Sequence, residues 1–368
     1  MPETRTTVTV DGAPLSGHDL DLVQSLSLEE SLGGQHKVSI TVQLVTSDTS
    51  AWTSSLDPLV APARPFHVAL TRGSETVEVE ARSVSASWHI APGGSSTITV
   101  EGMDRSVELD RRDVQRLWQD TNDAAIAETI FAEHGLAAQV DSTPSGADSD
   151  TYSPQQSATD WAFLKGLAAR NGFDVHVDSV RGVVTGVFRR VDVTAAPQAT
   201  IALGYGSLGG EASASVQLLA GQEVHVTRSV PGTSDVDVAS DDGRGNAMGS
   251  RSLGGATLVR THTAGSVSVL DARTTARAMA ERSAFGATLS ATLTSADAPL
   301  IRARRTVAVA GLGEALDGLW LVRSVRHTIT PGGHSQAIGL TRNALGSSAP
   351  GGAGALAGAL AAAVGVSL

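Results

Sequence analysis

The chain has no cysteine, so disulfides and thiolate metal sites are excluded, and folding in a reducing cytoplasm is the simple expectation. Aromatic residues make up only 4%, which leaves few platforms for stacking on sugars. Lysine is almost missing: Lys37 and Lys165 carry the type alone, and arginine supplies the remaining basic charge. The net charge of −11 disfavours nucleic-acid binding along the chain, because phosphate contacts need cationic surface. No window reaches the roughly 18 apolar residues of a membrane span, and the nearest, 354–368, is short and mostly Ala and Gly. Met1-Pro2-Glu3-Thr4-Arg5 has no apolar segment after it, so no secretory signal is expected. What is present is 41% hydrophobic against 18% charged residues over 368 positions, enough for cores in about two or three domains.

The first hundred residues alternate as strands: 6–10, 38–44, 66–70, 76–79 and 97–100, divided by Asp11-Gly12, Gly33-Gly34 and Pro92-Gly93-Gly94. Short strands with regular turns point to an antiparallel barrel or sandwich. The pattern then changes. Thr121-Asn122-Asp123 can cap a helix, Ile126, Ile130 and Phe131 form an inward stripe, and Gly135 suits the C′ position. A polar loop is expected over 141–150. Ser157-Ala158-Thr159-Asp160 reads as a capping box with Asp at its last position. Behind it, Trp161, Leu164, Leu167 and Ala168 recur at helical spacing, and Asn171-Gly172 ends the run. A hairpin follows, with Phe173, Val175 and Val177 alternating, Arg181-Gly182 turning, and 183–188 returning. Residues 234–255 read as a loop, 271–285 as a helix stopped by Gly286, and 287–294, 306–310, 319–330 and 335–341 as strands.

The expected class is mainly β with an α+β insertion: two related antiparallel β-barrel domains and a helix-hairpin domain. The boundaries read 1–103 for the first barrel, 104–195 for the α+β domain, 196–255 for a Gly/Ser-rich β segment, 256–345 for the second barrel and 346–368 for a flexible tail. Two hairpins in the two barrels echo each other. Arg82-Ser83-Val84 leads to Pro92-Gly93-Gly94 and a strand from Ser96, and Arg323-Ser324-Val325 leads to Pro331-Gly332-Gly333 and a strand from Ser335. Chance likeness of two hairpins and an internal duplication both account for it.

Chemistry-bearing patterns are weak. Gly204-Tyr205-Gly206-Ser207-Leu208-Gly209 has the letters of a dinucleotide loop, but 211–219 is not a convincing helix, so a glycine turn is expected. Asp235, Asp237, Asp241 and Asp242 lack the ligand spacing of a calcium loop. His327 and His334 flank the Pro331 turn and can meet across a hairpin, yet two histidines do not make a metal site. No Gly-x-Ser-x-Gly elbow and no His-Glu-x-x-His helix occurs. Glu128 and Glu133 point in different directions on their helix. No catalytic residue, cofactor or metal is expected.

The run from Gln155 to Phe173, with Thr159-Asp160-Trp161-Ala162-Phe163-Leu164 at its centre, closely resembles a segment of phage late control D proteins and of the hub part of VgrG spikes. The matching positions are Gln155, Asp160, Trp161, Phe163, Leu164, Leu167, Ala168, Gly172 and Phe173, and Thr159 stands where the family pattern has Ser. The 126–136 helix and the 318–333 hairpin resemble their counterparts, and the likeness covers roughly 5–345. It implies a structural baseplate hub and not an enzyme. The implied assembly is a homotrimer whose paired barrels form a ring between a six-fold tail tube protein and a three-fold spike. Ending at Leu368, the chain leaves no room for a spike, so a separate spike protein is expected beside other baseplate components. The implied location is cytoplasmic assembly followed by incorporation into a phage tail, tailocin, type VI secretion-like apparatus or free contractile injection system. The competing readings are a β-rich glycan-binding module and a tail-tip glycan-cleaving enzyme.

Overall fold

A computed structural model describes residues 4–46, 52–91, 95–143, 153–203, 209–229, 235–253, 258–264, 269–294 and 298–347. The expected Pro92-Gly93-Gly94 turn, most of the 141–150 loop, positions 204–208 of the glycine motif and the tail from 348 lie outside the described residues.

The N-terminal unit consists of β1 (Arg5–Val10), β2 (Val23–Ser31), β3 (Lys37–Gln43), β4 (Pro65–Arg72), β5 (Glu75–His89) and β6 (Thr97–Asp104). Alternation builds it. Phe66, Val68 and Leu70 of β4 face Ala81, Val79 and Val77 of β5, and all six join one buried cluster with Leu26, Leu28, Ile40 and Val100. The first turn, Asp11-Gly12, has both residues at positive φ, which only a short polar residue and glycine adopt readily.

A helical module follows: β7 (Asp113–Leu117), α1 (Asp123–Glu133), β8 (Ala137–Val140), β9 (Gln155–Thr159), α2 (Asp160–Asn171), β10 (Asp174–Val180) and β11 (Val183–Arg189). Asn122 caps α1 by accepting from the Ala125 amide at 2.9 Å, and Gly135 lies at φ +64, as the sequence indicates. For α2 the cap differs from expectation. Ser157 lies in β9, and Thr159 is the N-cap, accepting from the Ala162 amide at 3.2 Å. The β7–β9 ladder keeps 155–159 extended, so the helix starts two residues later than the capping-box letters imply.

The C-terminal unit is β12 (Thr200–Ala202), β13 (Gly209–Val216), β17 (Ala287–Leu293), β18 (Thr306–Ala310), β19 (Gly318–Thr330) and β20 (Gly333–Arg342). Between β13 and β17 sit β14 (Glu223–Ser229), β15 (Val236–Asp241), β16 (Val259–Ala264) and α3 (Val269–Ser283). These form a second α/β module, in which Ala272, Ala276 and Ala280 pack on Val224, Val226 and Ala239. The second half is therefore not divided at 255/256. The strand on one side of the insertion, β13, pairs with β17 on the other. The segment 234–255 also contains β15 where a loop was expected, because Val236 and Val238 alternate with acidic residues that mask the pattern.

The two β units repeat one topology. The N-terminal order is β2-β3-β6-β5-β4-β1, and the C-terminal order is β13-β17-β20-β19-β18-β12, with matching strands in matching chain order. Bulges fall at equivalent places. The β2–β3 register shifts between Val23 and Ser25, and the β13–β17 register between Gly209 and Ala212. The β5–β6 register shifts between Ser83 and Ser85, and the β19–β20 register between Val322 and Ser324. Bulges are defined, local deviations in a ladder, so two coincidences speak for duplication and against chance. They also correct the echo: Val84 matches Arg323, so the Arg-Ser-Val letters are slipped by two residues against the structural match. The units depart at one edge, where β1 is antiparallel to β4 and β12 is parallel to β18.

The two units are not separate bodies. β2 pairs antiparallel with β19, from Leu26↔Ile329 to Ser31↔Ser324, and fuses both into one thirteen-stranded sheet.

Candidate functional site

The signature positions of α2 build a core. Trp161, Leu164, Leu167 and Ala168 are buried with Ile126, Ile130, Phe131, Val175 and Phe188, while Phe163 and Phe173 are half-buried against them. Phe173 meets Phe188 edge-on at 5.3 Å. Gly172 ends the helix at φ +67, and its amide reaches the Ala168 and Ala169 carbonyls. Asp160 is buried, accepting from Gln156 Nε2 at 2.7 Å and meeting His134 Nε2 at 2.8 Å. Gln155 itself is exposed. Its neighbour Gln156 is fully buried, and Gln156 Oε1 accepts from Trp118 Nε1 at 3.1 Å. Strand alternation through β9 is the signal that separates the two glutamines.

The structure concentrates its buried charge elsewhere, at the joint between the β units. Glu30, at the end of β2, is 1% exposed and accepts from Arg302 Nε at 2.9 Å and the Ala303 amide at 2.9 Å. Arg302 also donates to Asp178 of β10 at 2.7 Å. Arg304 donates to Asp174 at 2.6 Å and to the Ser31 and Gly34 carbonyls at 2.6 and 3.0 Å. Asp174 in turn accepts from the Gly33 amide at 2.6 Å and meets His176 Nδ1 at 2.8 Å. Both β units and the helical module thus meet at one ionic cluster. Burial alone raises the Glu30 carboxyl, but Arg302, His36 and Arg304 outweigh it and hold it far below the carboxylate range. Burial lowers His36 to about 3, helped by the Arg304 charge, so its ring stays neutral. Burial raises Asp104 to about 6, against hydrogen bonds from Ser106 and the His36 amide.

A second cluster closes the other end of the joint. His327 and His334 do meet across their hairpin, with rings stacked at 5.4 Å. Arg72 of β4 donates to Thr4 and lies 2.8 Å from His334 Nδ1, and also reaches the Ala298 carbonyl. The Leu300 amide donates to Glu75 at 3.0 Å. Burial lowers both histidines to about 4, with neighbouring positive charge adding to the effect. Two stacked neutral rings beside an arginine form a packed contact and do not resemble a metal site.

Residues 4–331 match the protein family described as the Alg8 N-terminal domain. The chain belongs to that family. This Alg8 N-terminal domain member is also similar in fold to solved structures. The tail protein from Neisseria meningitidis MC58 aligns over 93% of this chain and 97% of its own, with a TM-score of 0.66 at 14% identity. The 43 kDa tail protein of prophage MuSo2 from Shewanella oneidensis aligns over 93% and 100%, with a TM-score of 0.63 at 15% identity. The E. coli protein c3393, described as a component of the type VI secretion system, aligns over 86% and 73%, with a TM-score of 0.54 at 12% identity. No curated protein matches the sequence.

In this Alg8 N-terminal domain the acidic candidates are locally satisfied. Asp237 pairs with Arg228 at 3.0 Å, Asp242 with Arg244 at 3.5 Å, and Asp241 accepts from the Gly243 amide at 2.8 Å. Among the described residues no group of three His, Asp or Glu could hold a metal, and no helix is long and apolar enough to cross a membrane. Glu128 and Glu133 are exposed, and Glu133 pairs with Arg116 at 3.0 Å.

Proposed function

We propose that the chain is a structural subunit of a tail or tail-like injection machine, working as a baseplate hub that assembles into a homotrimeric ring. The observation that carries this is the repeated six-strand unit, joined edge to edge within one chain. A closed trimer of such a chain presents six similar units around its axis, while every unlike feature repeats three times. One face then suits a six-fold tube and the other a three-fold spike, with other baseplate components around them. The joint supports this role, since the ionic cluster ties both units and the helical module together. Fold likeness to tail proteins and to a type VI secretion component agrees with it. In this reading the protein catalyses nothing: its work is ring closure and the presentation of two faces.

The test is solution mass by light scattering with averaged micrographs, on the chain alone and then with its tube and spike proteins. A trimeric mass and a hollow ring are expected. Failure to form a ring even with both partners present would overturn the hub reading.

A further inference from the structure

Duplication gives each strand of one unit a counterpart in the other, and the joint between units uses only one of two equivalent pairs. In β19 the N-terminal half pairs with β18 and the C-terminal half, 324–329, accepts β2. The counterpart of β19 is β5. Its N-terminal half, 75–82, pairs with β4, but among the described residues no strand takes the corresponding edge of 85–89. The counterpart of β2 is β13. It pairs with β17 on one side, and among the described residues no strand pairs with its other side. Among the described residues there are therefore one filled joint and the two halves of a second, unfilled one.

The matching bulges fix which residues correspond. Val84 matches Arg323, so Ala86, Trp88 and Ile90 match Val325, His327 and Ile329. Gly209 and Ala212 match Val23 and Leu26 around their shared bulge, so Ala214 and Val216 match Leu28 and Glu30. Exposure differs in the sense an unfilled joint requires. His327 is 0% exposed beneath β2, whereas Trp88 is 51% and Ile90 54% exposed. Ile329 packs against the core of the unit it touches. Across the other joint, Ala212 and Val216 line the edge of the C-terminal core that Ile90 and Trp88 would cover. Small alanines on one edge face large side chains on the other, which is the complementarity a strand pair needs. A bare strand with an exposed Trp and Ile is otherwise an aggregation hazard that soluble proteins avoid.

We propose that the Ser85–Ile90 edge of one copy accepts β13 of a second copy as its next strand, in the register that β2 takes on β19. The pairs are Ala212 with Ile90, Ser213 with His89, Ala214 with Trp88, Ser215 with Ser87 and Val216 with Ala86. The contact is heterologous, so each copy gives one edge and receives another, and the intact joint supplies the rotation per unit that closes the ring. This rests on the trimeric reading above and names the strands that make it.

The absence of cysteine makes the test clean. Ser87 and Ser215 are exposed, so Ser87→Cys and Ser215→Cys leave the fold intact. Directly opposed antiparallel residues have Cα atoms about 4.5–5.5 Å apart, within reach of a disulfide. The double variant, oxidised, is expected to run as a covalent trimer on a non-reducing gel, and mixed single variants as a covalent dimer. The pair Ser87→Cys with Ser213→Cys, diagonal in this register, should not link. A trimeric mass by light scattering with no link between 87 and 215 would overturn the joint and spare the ring. A monomeric mass with no link, even with the tube and spike proteins present, would overturn both.

Discussion

Replacing Glu30 by alanine probes the joint where it is most exposed to failure. The carboxylate is 1% exposed and accepts from the Arg302 Nε at 2.9 Å and the Ala303 amide at 2.9 Å, with Arg302 Nη2 in ion-pair contact at 2.8 Å. Its loss leaves the Ala303 amide without its acceptor and Arg302 buried with half its counter-charge. Breaking one side of a buried pair costs about 3–5 kcal/mol. Arg302 keeps Asp178 at 2.7 Å, so the lower end, about 3 kcal/mol, is expected. Urea unfolding followed by tryptophan fluorescence reads it as a lower midpoint. Glu30→Gln, which keeps an acceptor and the shape, should lose less. Since β2 spans the two units, Glu30→Ala should also split one unfolding transition toward two. An unfolding free energy within about 0.5 kcal/mol of the parent's, the usual range of surface changes, would refute the claim that this cluster secures the joint.

Acidification should destabilise the protein. His36 and His327 sit at about 3 and about 4, below the ordinary 6.5, so their contribution is full above 6.5 and is lost as pH falls through the folded values. Asp104, raised from 3.8 to about 6, works the other way between those values, one group against the three lowered histidines once His334, also at about 4, is included. A urea midpoint that rises between pH 7 and 5 would contradict this. Gly186→Ala would place a Cβ 2.3 Å from the Phe131 ring, and a loss of about 1–3 kcal/mol by overpacking should appear as a lower melting temperature. Asp160→Ala leaves buried Gln156 Nε2 without its 2.7 Å partner and should cost about 1–3 kcal/mol in urea unfolding, whereas Gln155→Ala, at an exposed position, should leave the midpoint nearly unchanged.

Local signals in the sequence carried most of the elements. The β4 strand, Pro65–Arg72, and the helix ends near Asn122 and Gly135 follow from alternation and from residue types that satisfy helix ends. The α2 stripe is equally local, because residues three and four apart share a helix face. β2 left a weaker trace. Leu26 and Leu28 alternate, but Glu29-Glu30 continues the strand with charge, and nothing nearby says that Glu30 is inward. Its partner Arg302 is 272 positions away, brought close by a strand pairing across units that no window of sequence contains.

The duplication divides in the same way. The chain by itself holds two similar hairpins, but letters alone matched them two residues out of step. Only the ladder, with bulges at Val84 and Arg323, sets the true correspondence, because register is a relation between strands and not a property of either. Sequence determined where strands and helices form, since each residue's backbone preference and apolar period act within a few positions. Tertiary structure decided which strands adjoin, which carboxylates lose water, and which edges stay bare, since burial and pairing depend on segments hundreds of residues apart.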